Sequence, residues 1–269
     1  MTIKGALLPV LAALLAAGGF APRYDDAVVL EKQGRLLKAA QKYAAFAQAK
    51  PQAPEAPKAL VAAAEIYSLK LGLCAESKPL LENLARNYPA FKMPGDVFRR
   101  IFICPDYFPV GSGLKWTYGD TETLGRNARQ ETAVVDHTSH GAALSIAFYA
   151  GRTLVNRQKK SYRFSGLDFV EREDRKDTVL LSYPLNAGKA WTTSGPEGRL
   201  EFRVEQAGLR VKVKAGEFED CVKIRRRVAG QPSWVYEYYA PWKGRVLTSV
   251  AGKGFENRIM ELISYEEKK

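Results

Sequence analysis

Histidine is almost missing from this chain: His137 and His140 are the two among 269 residues. Histidine is the usual general base and a common metal ligand at neutral pH, so most hydrolytic and metal-dependent chemistries lack their working group here. The two histidines stand in His-Thr-Ser-His at an expected hairpin tip, with only Asp136 close by. That is too sparse a set for a metal cage. Cysteine is scarce as well. Cys74, Cys104 and Cys221 contain no Cys-x-x-Cys, so nothing resembles a zinc site. No glycine-rich phosphate loop and no Gly-x-Ser-x-Gly nucleophile turn occurs. No long block of one charge occurs either. The net charge of +12 is spread over both halves. A diffuse positive surface suits anionic envelope polymers or lipid head groups better than nucleic acid. These absences point away from an enzyme and away from a cofactor.

Nor is any apolar run long enough to cross a bilayer comfortably. The first one, Ala6 to Ala17, contains Pro9 and follows Lys4. Small residues Ala16, Ala17, Gly18 and Gly19 come next. A charged start, a short apolar core and a small-residue site in that order predict a secretory signal over residues 1–19, cut before Phe20 or near Pro22. An uncleaved anchor is the alternative. No cysteine stands where lipidation needs one, so the expectation is a soluble periplasmic or secreted protein. Export permits disulfides. Cys74 and Cys104 flank one helical region and are the candidate pair, while Cys221 lies in the strand-like run Phe218 to Val228 and reads as a small buried hydrophobe.

What is present falls into two halves with different periods. Over residues 20–90 apolar residues recur three and four apart. Leu36, Ala39, Ala40, Tyr43, Phe46 and Ala47 form one stripe, Leu60, Ala63, Ala64 and Tyr67 a second, and Leu80, Leu81 and Leu84 a third. Residues 91–109 lose the period among Pro94, Gly95, Pro105 and Pro109 and read as a linker with one short helix. Over residues 110–269 the period is two: Leu200, Phe202 and Val204 alternate with Glu201, Arg203 and Glu205, and Val211 and Val213 alternate with Lys212 and Lys214. Turn signals every ten or so residues predict about ten antiparallel strands in meander order. The fold class is therefore α+β and multidomain: a short helical-repeat domain, then a strongly curved antiparallel sheet or half-barrel.

Gly34, Ala40, Tyr43, Phe46 and Pro51, followed by Ala59, Ala63, Tyr67, Gly72, Ala75, Leu84 and Tyr88-Pro89, resemble tetratricopeptide repeats. They are similar to those of envelope proteins such as the Tol-Pal coordinator and the outer-membrane assembly lipoprotein. At most about two repeats fit, fewer than the three usually needed to stand alone, and an unrelated helical hairpin is the alternative. In the second half, Phe108-Pro109 with Gly113, Trp116 and Tyr118 resembles the opening of an uncharacterised exported bacterial β domain. Leu185, Gly188 and Trp191 match its middle, Ala215-Gly216-Glu217-Phe218 and Cys221-Val222-Lys223-Ile224 its later turn and strand, and Tyr238-Tyr239-Ala240-Pro241 with Gly244 its last hairpin. Trp242 and Lys243 depart from that pattern. The resemblance implies an exported protein and a curved sheet, similar in outline to lipoprotein carriers, in which an apolar ligand is conceivable.

Candidate contact residues are few. Trp234, Tyr236 and Tyr238 share one strand face. Core packing is the expected use of that face, and a ligand cleft is the alternative. Lys212, Lys214, Lys223 and Arg225 are candidates for a basic patch across neighbouring strands, whereas Arg226 points the other way and needs an internal acid or a rim position. Glu171, Glu173 and Asp174 are candidates for a carboxylate pair that cuts glycans, but arginine and lysine are interleaved with them, so they read as a solvated turn, as do Glu217, Glu219 and Asp220. The sequence thus predicts a non-enzymatic envelope protein, with helical repeats that bind a protein partner and a β domain as scaffold. A lipid- or lipoprotein-handling protein is the alternative.

Overall fold

The computed structural model describes residues 22–93, 95–138, 141–173 and 176–267. The signal segment over 1–19, His140 and Asp174 lie outside the described residues. The chain forms two compact units that divide between Lys92 and Met93.

The first unit is helical. Asp25 and Asp26 in the first turn of α1 (Tyr24–Lys32), and Lys32 in its last, complement the helix dipole. Gly34 adopts φ of +71° after it, and the Gly34 and Arg35 amides donate to the carbonyls of Glu31 and Leu30. α2 (Leu36–Ala49) buries Ala39, Ala40, Tyr43, Phe46 and Ala47. α3 (Ala56–Glu65) buries Ala59, Leu60, Ala63 and Ala64, and alanine at such crossings lets helix axes approach closely. α3 runs on into one π turn, Ile66–Lys70, where the Leu71 amide reaches back 3.0 Å to the Ile66 carbonyl. α4 (Cys74–Asn87) buries Ser77 and Leu84 but leaves Leu80 and Leu81 only half-buried. Each helix packs on the next. Four helices packed in order do not by themselves make a tetratricopeptide repeat.

The second unit begins earlier than the lost periodicity suggests. From Met93 onward the stretch read as a linker belongs to it. α5 (Gly95–Phe102) leads into a proline-broken segment that buries Ile103 and Tyr107. Proline and glycine erase the period there, but aromatic burial fixes the segment. The Tyr107 hydroxyl donates to the Asp220 carbonyl at 2.9 Å, and the Tyr107 amide donates to the Tyr183 hydroxyl at 2.9 Å.

Twelve strands follow: β1 (Lys115–Asp120), β2 (Ala128–Thr138), β3 (Gly141–Ala150), β4 (Thr153–Ser165), β5 (Asp168–Glu173), β6 (Lys176–Ser182), β7 (Ala190–Gly195), β8 (Gly198–Val213), β9 (Gly216–Val228), β10 (Trp234–Ala240), β11 (Gly244–Gly252) and β12 (Phe255–Glu266). They make one antiparallel sheet in the order β6-β5-β4-β3-β2-β1-β12-β11-β10-β9-β8-β7. Every pair is consecutive in the chain except β1 with β12, which joins the two meanders. Gly119 is obligatory near that join, because a Cβ there would meet the Gly125 backbone at 2.6 Å.

The sheet curls until its edges meet. β6 and β7 share no ladder among the described residues, but side chains stitch them. Thr178 Oγ1 donates to the Ser194 carbonyl at 3.1 Å, the Val179 amide donates to Thr193 Oγ1 at 3.2 Å, and Trp191 Nε1 donates to the Val179 carbonyl at 3.1 Å. The result is a nearly closed barrel, the manner in which antiparallel sheets remove exposed edges. One end is packed solid by Tyr107, Tyr183, Val211, Val213, Val222 and Leu262.

Candidate functional site

Above that packed end the barrel is hollow. The cavity measures about 380 Å³. Its floor is aromatic. Phe108 stacks on Tyr162 at 5.5 Å between ring centres and lies 4.6 Å from Phe169. Trp116 lies at the floor too, held by its Nε1–H to the Lys243 carbonyl at 2.7 Å. Leu144 and Ile146 of β3 form one apolar wall, and Leu180 and Leu200 form another beside the β6–β7 seam. Pro196 and Glu197, in the β7–β8 turn, lie at the far end.

Two ionic clusters interrupt the apolar walls. On β4 and β5, Lys160 Nζ donates to Glu171 Oε1 at 2.9 Å and to Glu173 Oε2 at 3.1 Å, and the Tyr162 hydroxyl donates to Glu171 Oε2 at 2.7 Å. The register puts Tyr162 opposite Glu171 on the same face. Burial pulls the Lys160 ammonium down, but its bonds to the two carboxylates more than offset this and hold it protonated. Burial, then the Glu171 charge, pushes the Tyr162 phenol up, so it stays a donor. Across the barrel, Arg245 lies 3.4 Å from Glu237 Oε1, and the Tyr239 hydroxyl donates to Glu237 Oε2 at 2.9 Å. The Arg245 guanidinium sits 5.0 Å from the Tyr118 ring centre. Burial raises the Tyr118 phenol to about 12. Nearer the far end, Arg226 meets the exposed Glu197 at 3.5 Å, so its acid stands at the rim.

Several sequence expectations change. Glu171 and Glu173 are not a solvated turn: the Glu171 side chain is 16% exposed and faces the cavity. A run of alternating charge signals water, yet here the register aligns acid with base and makes inward burial tolerable. Glu217, Glu219 and Asp220 are exposed. The faces of β10 are reversed. Glu237 and Tyr239 point inward and are buried, while Trp234, Tyr236 and Tyr238 are half-buried on the outside. Trp234 and Tyr236 belong to neither the core nor the cavity lining, and Tyr238 packs against the core while only half-buried.

On the outer face the rings do meet two of the predicted cations. Lys223 lies 3.9 Å from the Tyr236 ring centre and 2.6 Å from Glu256. Arg225 lies 5.9 Å from the Trp234 ring centre and 3.3 Å from Glu205. The predicted basic patch does not assemble. Lys212 pairs in register with Glu217, far along the β8–β9 hairpin from Lys223, which pairs with Gln206. Lys214 is exposed, and its amide donates to Glu261 Oε1. Cys221 is a free, buried thiol, raised to about 11 by burial. His137 is exposed, and no group of metal-ligating side chains occurs among the described residues.

No known family profile matches the chain. No curated protein matches it either. Three solved structures align with it. A Bacteroides fragilis protein assigned to export, with a YmcC-like fold, is 16% identical over 61% of this chain and all of its own, with a TM-score of 0.43. A Parabacteroides distasonis protein assigned as a lipoprotein is 15% identical over 60% of this chain and 98% of its own, with a TM-score of 0.39. A Chlamydia trachomatis protein of unassigned function is 11% identical over 58% of this chain and 88% of its own, with a TM-score of 0.32. Likeness of that degree says nothing about function.

Proposed function

We propose that the chain is a non-enzymatic protein of the cell envelope, exported by a signal over residues 1–19, whose barrel binds a small amphipathic ligand. The observation that carries this reading is the cavity of about 380 Å³, within the range of small-molecule sites and lined by rings, aliphatic side chains and fixed polar groups. A purely acyl ligand fits poorly, because it would press methylenes against the Lys160 and Arg245 clusters in place of water. The bound molecule therefore brings polar groups of its own. That narrows the lipid-handling alternative to molecules whose head group enters the barrel. The cavity's acids and bases pair with one another rather than with a nucleophile, which supports binding over catalysis. The alanine-lined helices of the first unit, read as tetratricopeptide-like, are the surface for a protein partner.

Native mass spectrometry of protein purified from envelope extracts tests the reading. A small-molecule adduct at one per chain supports it, and bare protein in every preparation overturns it. N-terminal sequencing tests export: a start near Phe20 or Pro22 supports it, and a start at Met1 in a cytoplasmic pool overturns it.

A further inference from the structure

Each charged side chain that lines the cavity has a partner of opposite sign within 3.5 Å. Lys160 holds Glu171 and Glu173, Arg226 holds Glu197, and Arg245 holds Glu237. A ligand that brings a negative charge finds no unpaired countercharge, and one that brings a positive charge finds only the carboxylate in excess where Glu171 and Glu173 share Lys160. Elsewhere a charge must displace an existing partner or settle beside a neutralised pair, and it loses its hydration either way.

Paired groups still keep hydrogen-bonding capacity. A guanidinium has five N–H donors and a carboxylate about four lone-pair positions. One pairing contact uses part of that, and it fixes the remaining donors and acceptors in place. Gln130, Thr132 and Thr178 add uncharged polar groups to the lining. Beside them Trp116, Tyr118 and Tyr162 line the cavity with aromatic carbon. Hydroxyl-binding groups interleaved with aromatic carbon match a molecule whose own surface alternates hydroxyls with C–H groups.

We propose that the cavity selects uncharged, polyhydroxylated ligands of the glycoside class. The ion pairs serve as fixed partners for hydroxyls, and the aromatic side chains pack against the sugar's C–H groups. This rests on the reading of the cavity as a binding site. Glu171 and Glu173 share the single Lys160 ammonium, with the Tyr162 hydroxyl as a further donor to Glu171. That leaves one carboxylate in excess, so a cation is the most demanding competitor.

Calorimetric titration of the full protein with octyl glucoside, octanoate and octylammonium, each below its micelle concentration, tests the inference. Octyl glucoside should bind at least about tenfold more tightly than either ion. Equal or tighter binding of an ion overturns the selectivity and leaves the binding module standing. Binding of none of the three overturns both. Two reciprocal variants localise the effect. Glu237→Gln strips Arg245 of its countercharge and should raise octanoate affinity about tenfold or more. Arg245→Gln strips Glu237 and should do the same for octylammonium. A folded variant with wild-type preference overturns the role of the pairs, and the wild-type panel decides the selectivity if neither variant folds.

Discussion

Asp106 offers a stability prediction whose sign and size both follow from its surroundings. It lies in the segment before β1, where its Oδ1 accepts the Phe108 amide at 2.8 Å and its carbonyl accepts the Trp242 amide at 2.7 Å. Burial raises its carboxyl to about 6, and the bonds from Phe108 and Tyr183 lower it only in part. A carboxyl raised in the folded state binds its proton more tightly there than in the unfolded chain. Its contribution is therefore fully present below the unfolded value near 4, and it is lost as pH rises through about 6. A rise from near 4 to about 6 is worth about 3 kcal/mol. Asp106 keeps some access to solvent, which makes that figure an upper bound. Asp106→Asn removes the ionisation while keeping an oxygen for the Phe108 amide. Urea unfolding from pH 3.5 to 7.5 should show the wild type losing up to about 3 kcal/mol between pH 4 and 6.5 relative to Asp106→Asn, with the variant the more stable at neutral pH. Parallel pH profiles for the two proteins would refute the argument.

Phe202, 2% exposed and stacked on Trp191, should cost about 3–5 kcal/mol as Phe202→Ala, while Trp234→Ala on the outer face should cost less; the reverse order in urea melts would restore the face assignment suggested by the sequence. Ala63→Leu, at a fully buried helix crossing, should overpack and cost about 1–3 kcal/mol, and an unchanged thermal melt would contradict the close crossing. Peptide mapping without reductant should recover Cys74 linked to Cys104 and Cys221 unlinked, its thiol reacting only on unfolding, whereas any bridge to Cys221 would overturn the pairing.

Where a strand keeps its charges in water, its pattern was legible. On β8, Leu200, Phe202, Val204, Val211 and Val213 are buried as their alternation predicts. The meander order followed from the turn signals, although they suggested about ten strands and there are twelve. The site was harder to read, because its polar residues break the rule that charge marks the wet face. On β10 both faces carry aromatic rings, so Glu237 was the deciding residue. It pointed the wrong way, since its partner Arg245 lies on the next strand. Arg226 was the exception. Flanked by Arg225 and Arg227, it had to turn inward, and its need for an internal acid or a rim position was legible from that run; the exposed Glu197 meets it at the rim. The same reasoning, applied to Lys160 and Glu171 across one turn, would have found the second cluster. The segment before β1 was hidden because proline breaks periodicity without preventing burial.

The claim that matters most is that the barrel interior receives a ligand. Ile146 faces the cavity from β3 and is 7% exposed. Ile146→Trp should place an indole in that space while leaving every charged residue of the lining unchanged. Calorimetry with octyl glucoside should give saturable one-to-one binding to the wild type, weakened about tenfold or more in Ile146→Trp while the variant's circular dichroism stays native. Equal binding by both proteins, or none by the wild type, would contradict the account.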